Sequence, residues 1–148
     1  MTSRDLLLDL LDCAFDHRSW HGPNLGSSLR GVSAARAARR VKGRKAIWEQ
    51  ALHAAYWKQR VLNQLAGTQR FPRRGSNWPP APQAPTQAAW RRDVMLLRDI
   101  HRRLRETVAA LPARRLDRKT IWLVHGAAAH DLYHAGQINL LKRMSARG

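Results

Sequence analysis

The sequence predicts an all-α protein built as a four-helix bundle, and three observations support this prediction. Apolar residues recur in steps of three and four along four long segments, which is the period of an amphipathic helix. No segment alternates apolar and polar residues in the way a half-buried strand does. Glycine and proline separate the four segments. With 148 residues, 44% of them hydrophobic, the chain has the size of one globular domain, and we expect a single domain over residues 1–148.

The first helix is predicted over residues 3–20. Thr2 followed by Asp5 resembles a capping box, in which each residue satisfies a free backbone N–H of the first turn. Gly22 and the proline after it end the segment. The apolar residues at helical spacing are Leu6, Leu7, Leu10, Leu11 and Ala14.

Residues 24–43 are predicted to be a connector, because they are rich in glycine, serine and arginine. Within the connector, Ser33 can cap one short extra turn. The second helix is predicted over residues 45–66, and Gly67 supplies its exit. Its inward stripe is predicted to consist of Trp48, Leu52, Ala55, Gln59, Leu62 and Ala66.

The segment 71–82 is too rich in proline for a helix or an interior strand, and long loops of this kind often edge a binding site. The third helix is predicted over residues 87–111 with Thr86 as its cap, and the fourth over residues 119–144. The seam of the third helix has the spacing of a helical bundle. It consists of Trp90, Val94, Leu97, His101, Leu104, Val108 and Leu111.

The formal net charge of +17 raises the question of a polyanionic partner, since lysine and arginine that neutralise phosphates strengthen binding to nucleic acid. Nucleic acid is nevertheless not the favoured partner. The basic residues are scattered through every segment, and the sequence contains no nucleic-acid-binding motif. A basic surface by itself indicates only nonspecific attraction.

A membrane span is not expected, because the longest apolar runs fall far short of the ~20 residues that a bilayer requires. Asp9 and Asp12 interrupt what would have to be an apolar signal region, so we expect a cytoplasmic protein. Cys13 is the single cysteine, which excludes an intramolecular disulfide and a thiolate metal cluster. Its apolar neighbours favour a small buried hydrophobe over a nucleophile.

His130 and His134 are the most informative residues of the chain. At about 100° per residue they fall at the centre of the apolar face of the fourth helix. Two imidazoles in a core must be hydrogen-bonded or bound to something, since an unsatisfied buried polar group costs about 1–3 kcal/mol. Residues four apart present their side chains on one face, where they can share a metal ion. The pair therefore predicts a metal site inside the bundle.

The sequence leaves the third protein ligand open between two residues. His53 lies beside Glu49 at the edge of the apolar stripe of the second helix, not at its centre. A ligand in that position could still reach the metal from a neighbouring helix of the bundle. His101 occupies a seam position of the third helix and would also point at the core. The remaining three histidines are predicted to be solvated or at the surface: His17, His21 and His125.

Two segments resemble the DinB-like family of helical proteins. In the fourth helix, His130-x-x-x-His134 is followed by Gly-Gln-Ile, and residues 47–57 resemble the family's second helix with its single ligand histidine. Residues 19–23 and the loop at 71–79 also match one branch. The resemblance implies an up-down-down-up four-helix bundle, often a homodimer, whose metal ligands are His53, His130 and His134. His101 then becomes a core residue or supports the site.

The family's members of known activity include thiol-dependent S-transferases. The resemblance therefore implies a small-molecule substrate and a low-molecular-weight thiol as cosubstrate. Three imidazoles on a divalent ion such as Zn, Ni or Fe leave positions for water, which is the catalytic arrangement and suits a transferase or a hydrolase. Gln137, Tyr133 and Glu49 are the candidate catalytic side chains, as hydrogen-bond partners or as a base. The alternative is a basic, non-enzymatic stress-associated protein with nucleic-acid affinity and a structural metal.

Overall fold

A computed structural model describes residues 1–146, so the last two positions of the predicted 1–148 domain lie outside the described residues. Within residues 1–146 the chain is all-helical and contains no strand, which confirms the predicted all-α class. No helix in this part of the chain combines the length and the apolar character needed to cross a bilayer. The helices are α1 (Ser3–Phe15), α2 (Leu25–Leu29), α3 (Ala34–Ala38), α4 (Ile47–Ala66), α5 (Gln87–Ala110) and α6 (Arg118–Ala146), with a 3₁₀ turn at Ala113–Arg115.

The four longer helices pack pairwise around the core, with α4 against α5 and α6, and α1 against α5 and α6. Helix starts are confirmed wherever the sequence predicted a cap. Thr2 and Asp5 form the capping box of α1, Ser33 caps α3, and Thr86 caps α5. The predicted seam of α5 lies inward along its whole length, which buries Trp90, Leu97, His101, Leu104 and Val108.

The first helix is shorter than predicted and ends at Phe15, not at residue 20. The chain turns there so that α2 can pack across the end of α1. Gly26 makes this packing possible, because a Cβ at that position would lie 2.7 Å from the carbonyl oxygen of Phe15. Asn24 caps α2 and also donates a hydrogen bond from its side chain to the His17 carbonyl, at 2.7 Å. The connector therefore contains two short helices, where the sequence predicted only one extra turn.

Helices α4 and α6 run antiparallel, and three contacts fix this direction. Arg115 donates to the Leu65 carbonyl beyond one end, the Lys58–Asp131 ion pair joins the middles, and Gln50 meets His134 near the other end. The first half of α4 is buried on all sides, because α3, α5, α6 and the proline-rich loop surround it. As a result His53, which lies at the edge of the apolar stripe of α4, is also buried.

Candidate metal centre

Three histidine side chains converge between α4 and α6. His53 extends from α4, and His130 and His134 extend from successive turns of α6. The Nε2 atom of His130 lies 3.2 Å from Nε2 of His53 and 3.0 Å from Nε2 of His134. The three residues are close enough to hold a metal ion, as the resemblance to DinB-like proteins implied. His53 and His134 are buried and His130 is half-buried.

The other ring nitrogens of two of these histidines are held by acceptors. His53 Nδ1 donates to the backbone carbonyl of Asn77 at 2.5 Å, and His134 Nδ1 donates to the side-chain oxygen of Gln50. Such bonds fix both the ring orientation and the position of the proton, and they are a recurrent feature of metal-binding histidines. They direct the Nε2 lone pairs of His53 and His134 towards each other and towards His130.

The proton count of the cluster favours a cation at its centre. A neutral imidazole carries one N–H, and His53 and His134 use theirs at Nδ1, so both of their Nε2 atoms present lone pairs. His130 has at most one proton to place between these two acceptors. An ion bound at about 2.0–2.1 Å would separate its ligand nitrogens by roughly 3–3.4 Å, which agrees with the 3.2 Å and 3.0 Å that separate His130 Nε2 from the other two Nε2 atoms. The donor set therefore fits a borderline divalent metal.

Burial keeps the three imidazoles uncharged. Desolvation lowers the pKa of His130 to about 4, with further lowering from the nearby charges of His53 and Lys58. It lowers the pKa of His134 to about 3, assisted by His130 and His53. The pKa of His53 is also lowered by burial, although its hydrogen bond to Asn77 acts in the opposite direction. At neutral pH the rings are in the deprotonated state that binds metals.

The proline-rich loop edges the cluster, as its composition led us to expect. Trp78 stacks on the ring of His53, with 3.7 Å between ring centroids and 12° between planes, and its ring lies 5.9 Å from that of His134. Asn77 adopts a positive φ of 60°, which turns its carbonyl towards His53, and its side chain accepts a hydrogen bond from Trp57 at 2.8 Å. The loop thereby both shields and orients His53.

A buried ion pair lies directly beside the histidines. Lys58 on α4 and Asp131 on α6 contact each other with both side chains 1% exposed. Burial raises the pKa of Asp131 to about 6, although Lys58 stabilises its charged form. Such a pair contributes little net stability but strongly penalises the loss of one partner. The pair joins α4 to α6 beside His130 of the cluster.

Comparisons with protein-family models, with curated proteins and with solved structures found no match to this chain. The resemblance to DinB-like proteins therefore stays a prediction that rests on the motifs in α4 and α6. What the structure shows for residues 1–146 is an all-helical fold with three clustered histidines.

The three candidate catalytic side chains lie at different distances from this centre. The ring of Tyr133 meets His134 edge-on at 5.1 Å, but the side chain is largely exposed. Gln137 is half-buried, and within residues 1–146 its side chain makes no hydrogen bond to the cluster. Glu49 is buried with its carboxylate against Arg40 and the Ala46 N–H, and these contacts hold its pKa below the usual value against the opposing effect of burial. Asn77, not Glu49, orients His53.

His101, the rival for the third ligand position, lies outside the cluster. It is buried and stacks on Phe15 with 3.9 Å between ring centroids, and both ring nitrogens lack a hydrogen-bond partner among residues 1–146. Burial lowers its pKa to about 2, with additional lowering from the charges of Lys58 and Arg105. His125 is exposed, as predicted, and Cys13 is half-buried against the Arg18 carbonyl.

Sequence reasoning missed the residues that support the cluster. Gln50 was detectable in principle, since it precedes His53 by three residues and so lies on the same face of α4. The Lys58–Asp131 pair gave no such signal, because two charged residues far apart in sequence show neither that they meet nor that they are buried. The Asn77 carbonyl gave none either, since any residue type offers a backbone acceptor.

Proposed function

We propose that this protein is a metal-dependent enzyme, a thiol S-transferase or a hydrolase, that acts on a small molecule. The carrying observation is the convergence of three Nε2 atoms, with the rings of His53 and His134 oriented by separate acceptors. A divalent ion held by three imidazoles would lower the pKa of a bound water or thiol towards neutrality and so supply a nucleophile. The ligands are His53, His130 and His134.

The residues around the three histidines have different roles in such a site. Gln50 and Asn77 hold two ligand rings in one orientation and one tautomer, so little reorganisation is needed when the ion binds. Trp78 excludes water from the His53 side through its stacked ring. His130 is the least buried ligand and faces a cavity between α4 and α6, which leaves that side open to substrate. A closed structural site would not need this opening.

Tyr133 is the best placed of the three candidate catalytic side chains, because its ring contacts a ligand histidine. We assign it a hydrogen bond to the substrate or to the departing group. Gln137 lies one turn further along α6, and we assign it a contact to the substrate. Glu49 is held by Arg40, so its role is to secure the first turn of α4 and thus the position of His53.

The proposal includes the DinB-like topology, up-down-down-up. Its support comes from helix directions, since Arg4 meets the Leu111 carbonyl at one end of the α1–α5 pair and Asp12 meets Arg105 further along, which makes these helices antiparallel. Trp48 meets Asp93 near the starts of α4 and α5, so that pair is parallel. A homodimer and a low-molecular-weight thiol cosubstrate, both implied by the resemblance, belong to the same proposal.

Elemental analysis of protein purified without a metal-binding tag tests the proposal. We expect about one divalent ion per chain, lost in His130→Ala and in His134→Ala because each removes one of three ligands. His125→Ala is the matched control, since it removes an exposed histidine from the same helix and should retain the ion. Thiol conjugation to a model electrophile and hydrolysis of a model ester should follow metal content.

Two results would refute the proposal. One is stoichiometric metal in a His130→Ala/His134→Ala double variant. The other is metal-independent, salt-sensitive retention of DNA or RNA without either activity, which would favour the basic binding protein that the +17 charge suggests.

A further inference from the structure

A cavity of about 420 Å³ lies between α4 and α6, next to the histidine cluster. His130 and Asp131 form one end of its lining, and Trp122 and Gln64 form the other. The eight helical steps from Trp122 to His130 correspond to roughly 12 Å along a helix. The volume falls within the ~300–1,000 Å³ typical of small-molecule sites. The cavity therefore has the length and capacity for an elongated ligand that reaches His130 with one end.

The wall of this cavity is mainly apolar and unusually aromatic. Trp57 and Trp122 face it from opposite helices and are 42% and 71% exposed, so two large rings remain in contact with water. Val61 and Leu123 continue the apolar lining between them. A ligand that covered these side chains would gain about 25 cal/mol for each Å² of apolar surface removed from water. The exposed rings thus favour an apolar occupant.

The residues that line the cavity carry a net positive charge, because two of its three charged side chains form an ion pair with each other. Lys58 and Asp131 neutralise each other, and Arg60 is the remaining charged residue of the lining. Arg60 is exposed and has no acidic side chain within 4.0 Å among residues 1–146. A guanidinium at the edge of an apolar cavity favours a carboxylate or a similar anion.

We propose that this cavity is the substrate site and that it takes an elongated, mainly apolar small molecule with one acidic group. The apolar body lies between Trp57 and Trp122, the acidic group lies at Arg60, and the reactive end lies at His130. The assignment rests on the proposed function, because His130 gives the cavity its chemical role. Binding itself can be measured without any knowledge of the reaction.

Gly126 offers a way to fill the cavity without disturbing the fold. It lines the cavity, and a Cβ added to it meets no atom within 4 Å. Gly126→Leu should therefore occupy the space while raising the helix propensity of α6. Gly136→Leu is the matched control, because that glycine also lies exposed on α6 with open space around its Cβ and does not line the cavity.

The probe is 8-anilinonaphthalene-1-sulfonate, an aromatic anion that fluoresces when it enters an apolar site. We expect the wild type and Gly136→Leu to bind it alike, and Gly126→Leu to bind about tenfold more weakly or worse, which corresponds to a loss of about 1.4 kcal/mol. Octanoate should displace the probe at lower concentration than octanol. Arg60→Gln should abolish that difference, whereas an anion held elsewhere would be insensitive to the change.

Three outcomes would overturn the inference: equal probe binding by both leucine variants, an octanoate preference that survives Arg60→Gln, or wild-type protein that binds the probe only when it is diluted to monomer. The last outcome would mean that a second copy of the chain covers this face. Metal content separates this inference from the proposed function. Gly126→Leu should keep its ion while losing the probe, whereas wild type that binds the probe but purifies without metal would refute the enzyme proposal alone.

Discussion

Replacement of His101 by leucine should make the protein more stable. His101 is 4% exposed, and both nitrogens of its ring lack a hydrogen-bond partner among residues 1–146. A buried polar group without a partner costs about 1–3 kcal/mol, and leucine removes both polar atoms. Leucine also keeps a similar volume and is a good helix former, so α5 should be undisturbed.

The expected gain follows from opposing contributions. Two unsatisfied nitrogens account for at least about 2 kcal/mol, at the lower limit for each. Against this stands the stacking of His101 on Phe15 at 3.9 Å, and aromatic pairs contribute about 0.5–1.5 kcal/mol. The net gain in the free energy of unfolding at pH 7 is about 1 kcal/mol. For a chain of this size it corresponds to a rise in Tm of about 2–4 °C.

The gain should grow as the pH falls. The pKa of His101 is lowered to about 2 in the folded protein, whereas an unfolded histidine titrates near 6.5. Below pH 6.5 the unfolded chain therefore takes up a proton at this residue that the folded chain refuses, and wild type loses stability as the pH decreases. Between pH 7 and pH 5 this residue alone costs about 2 kcal/mol, which the leucine variant avoids.

Chemical denaturation of wild type and variant at pH 7 and pH 5 provides the measurement. The difference between the proteins cancels the titration of the other histidines. His125→Leu serves as control, because it is exposed and should change stability by no more than about 0.5 kcal/mol at either pH. A less stable His101→Leu, or a stability difference that does not change with pH, would mean that His101 has a polar partner and would refute the reasoning.

Three further predictions concern the contacts around the cluster. Gln50→Leu removes the acceptor of the His134 Nδ1 proton and should weaken metal affinity about 10–100-fold, measured by competition with a chelator, while circular dichroism stays unchanged. Asn77→Val should weaken metal affinity to a similar extent, because a β-branched residue is strained at the φ of 60° and the carbonyl that holds His53 would shift. Asn77→Gly should retain more of the metal affinity, since glycine adopts this φ without strain; equal affinity in the two variants would contradict this. Lys58→Met should cost about 3–5 kcal/mol of unfolding free energy, because Asp131 stays buried without its partner and must either remain charged or take up a proton. Lys58→Met/Asp131→Leu should recover most of this loss; a double variant as unstable as the single one would count against the pair.

The sequence predicted the long helices well because their signals are local. A cap, a repeating apolar step and a breaker lie within a few residues of one another, as Thr86 and the seam of α5 illustrate. The end of α1 was predicted wrongly because its cause is not local. The chain leaves the helix at Phe15 so that α2 can cross it, and this depends on a contact with Gly26 that periodicity does not encode.

The candidate site was predictable to the same degree. His130 and His134 were found because four residues of helix bring them together wherever the helix lies. The choice between His53 and His101 required the rotation of two other helices about their axes, which a stripe of apolar residues defines only within a broad arc. The sequence placed His53 at the edge of the apolar stripe of α4. The residues that bury it, His134 of α6 and Trp78, come from other segments of the chain.

The side chains that pack around the histidine cluster limit the direction from which a substrate can reach it. Trp78 closes the His53 side, Gln50 accepts the hydrogen bond from the outer nitrogen of His134, and His130 is the one histidine of the cluster that lines the cavity. A substrate would therefore approach along the α4–α6 groove and not through the proline-rich loop. Changes at His53 should then affect metal binding alone, while changes at His130 should affect metal binding and ligand binding together. If both positions altered probe binding equally, the approach would have to be from another side.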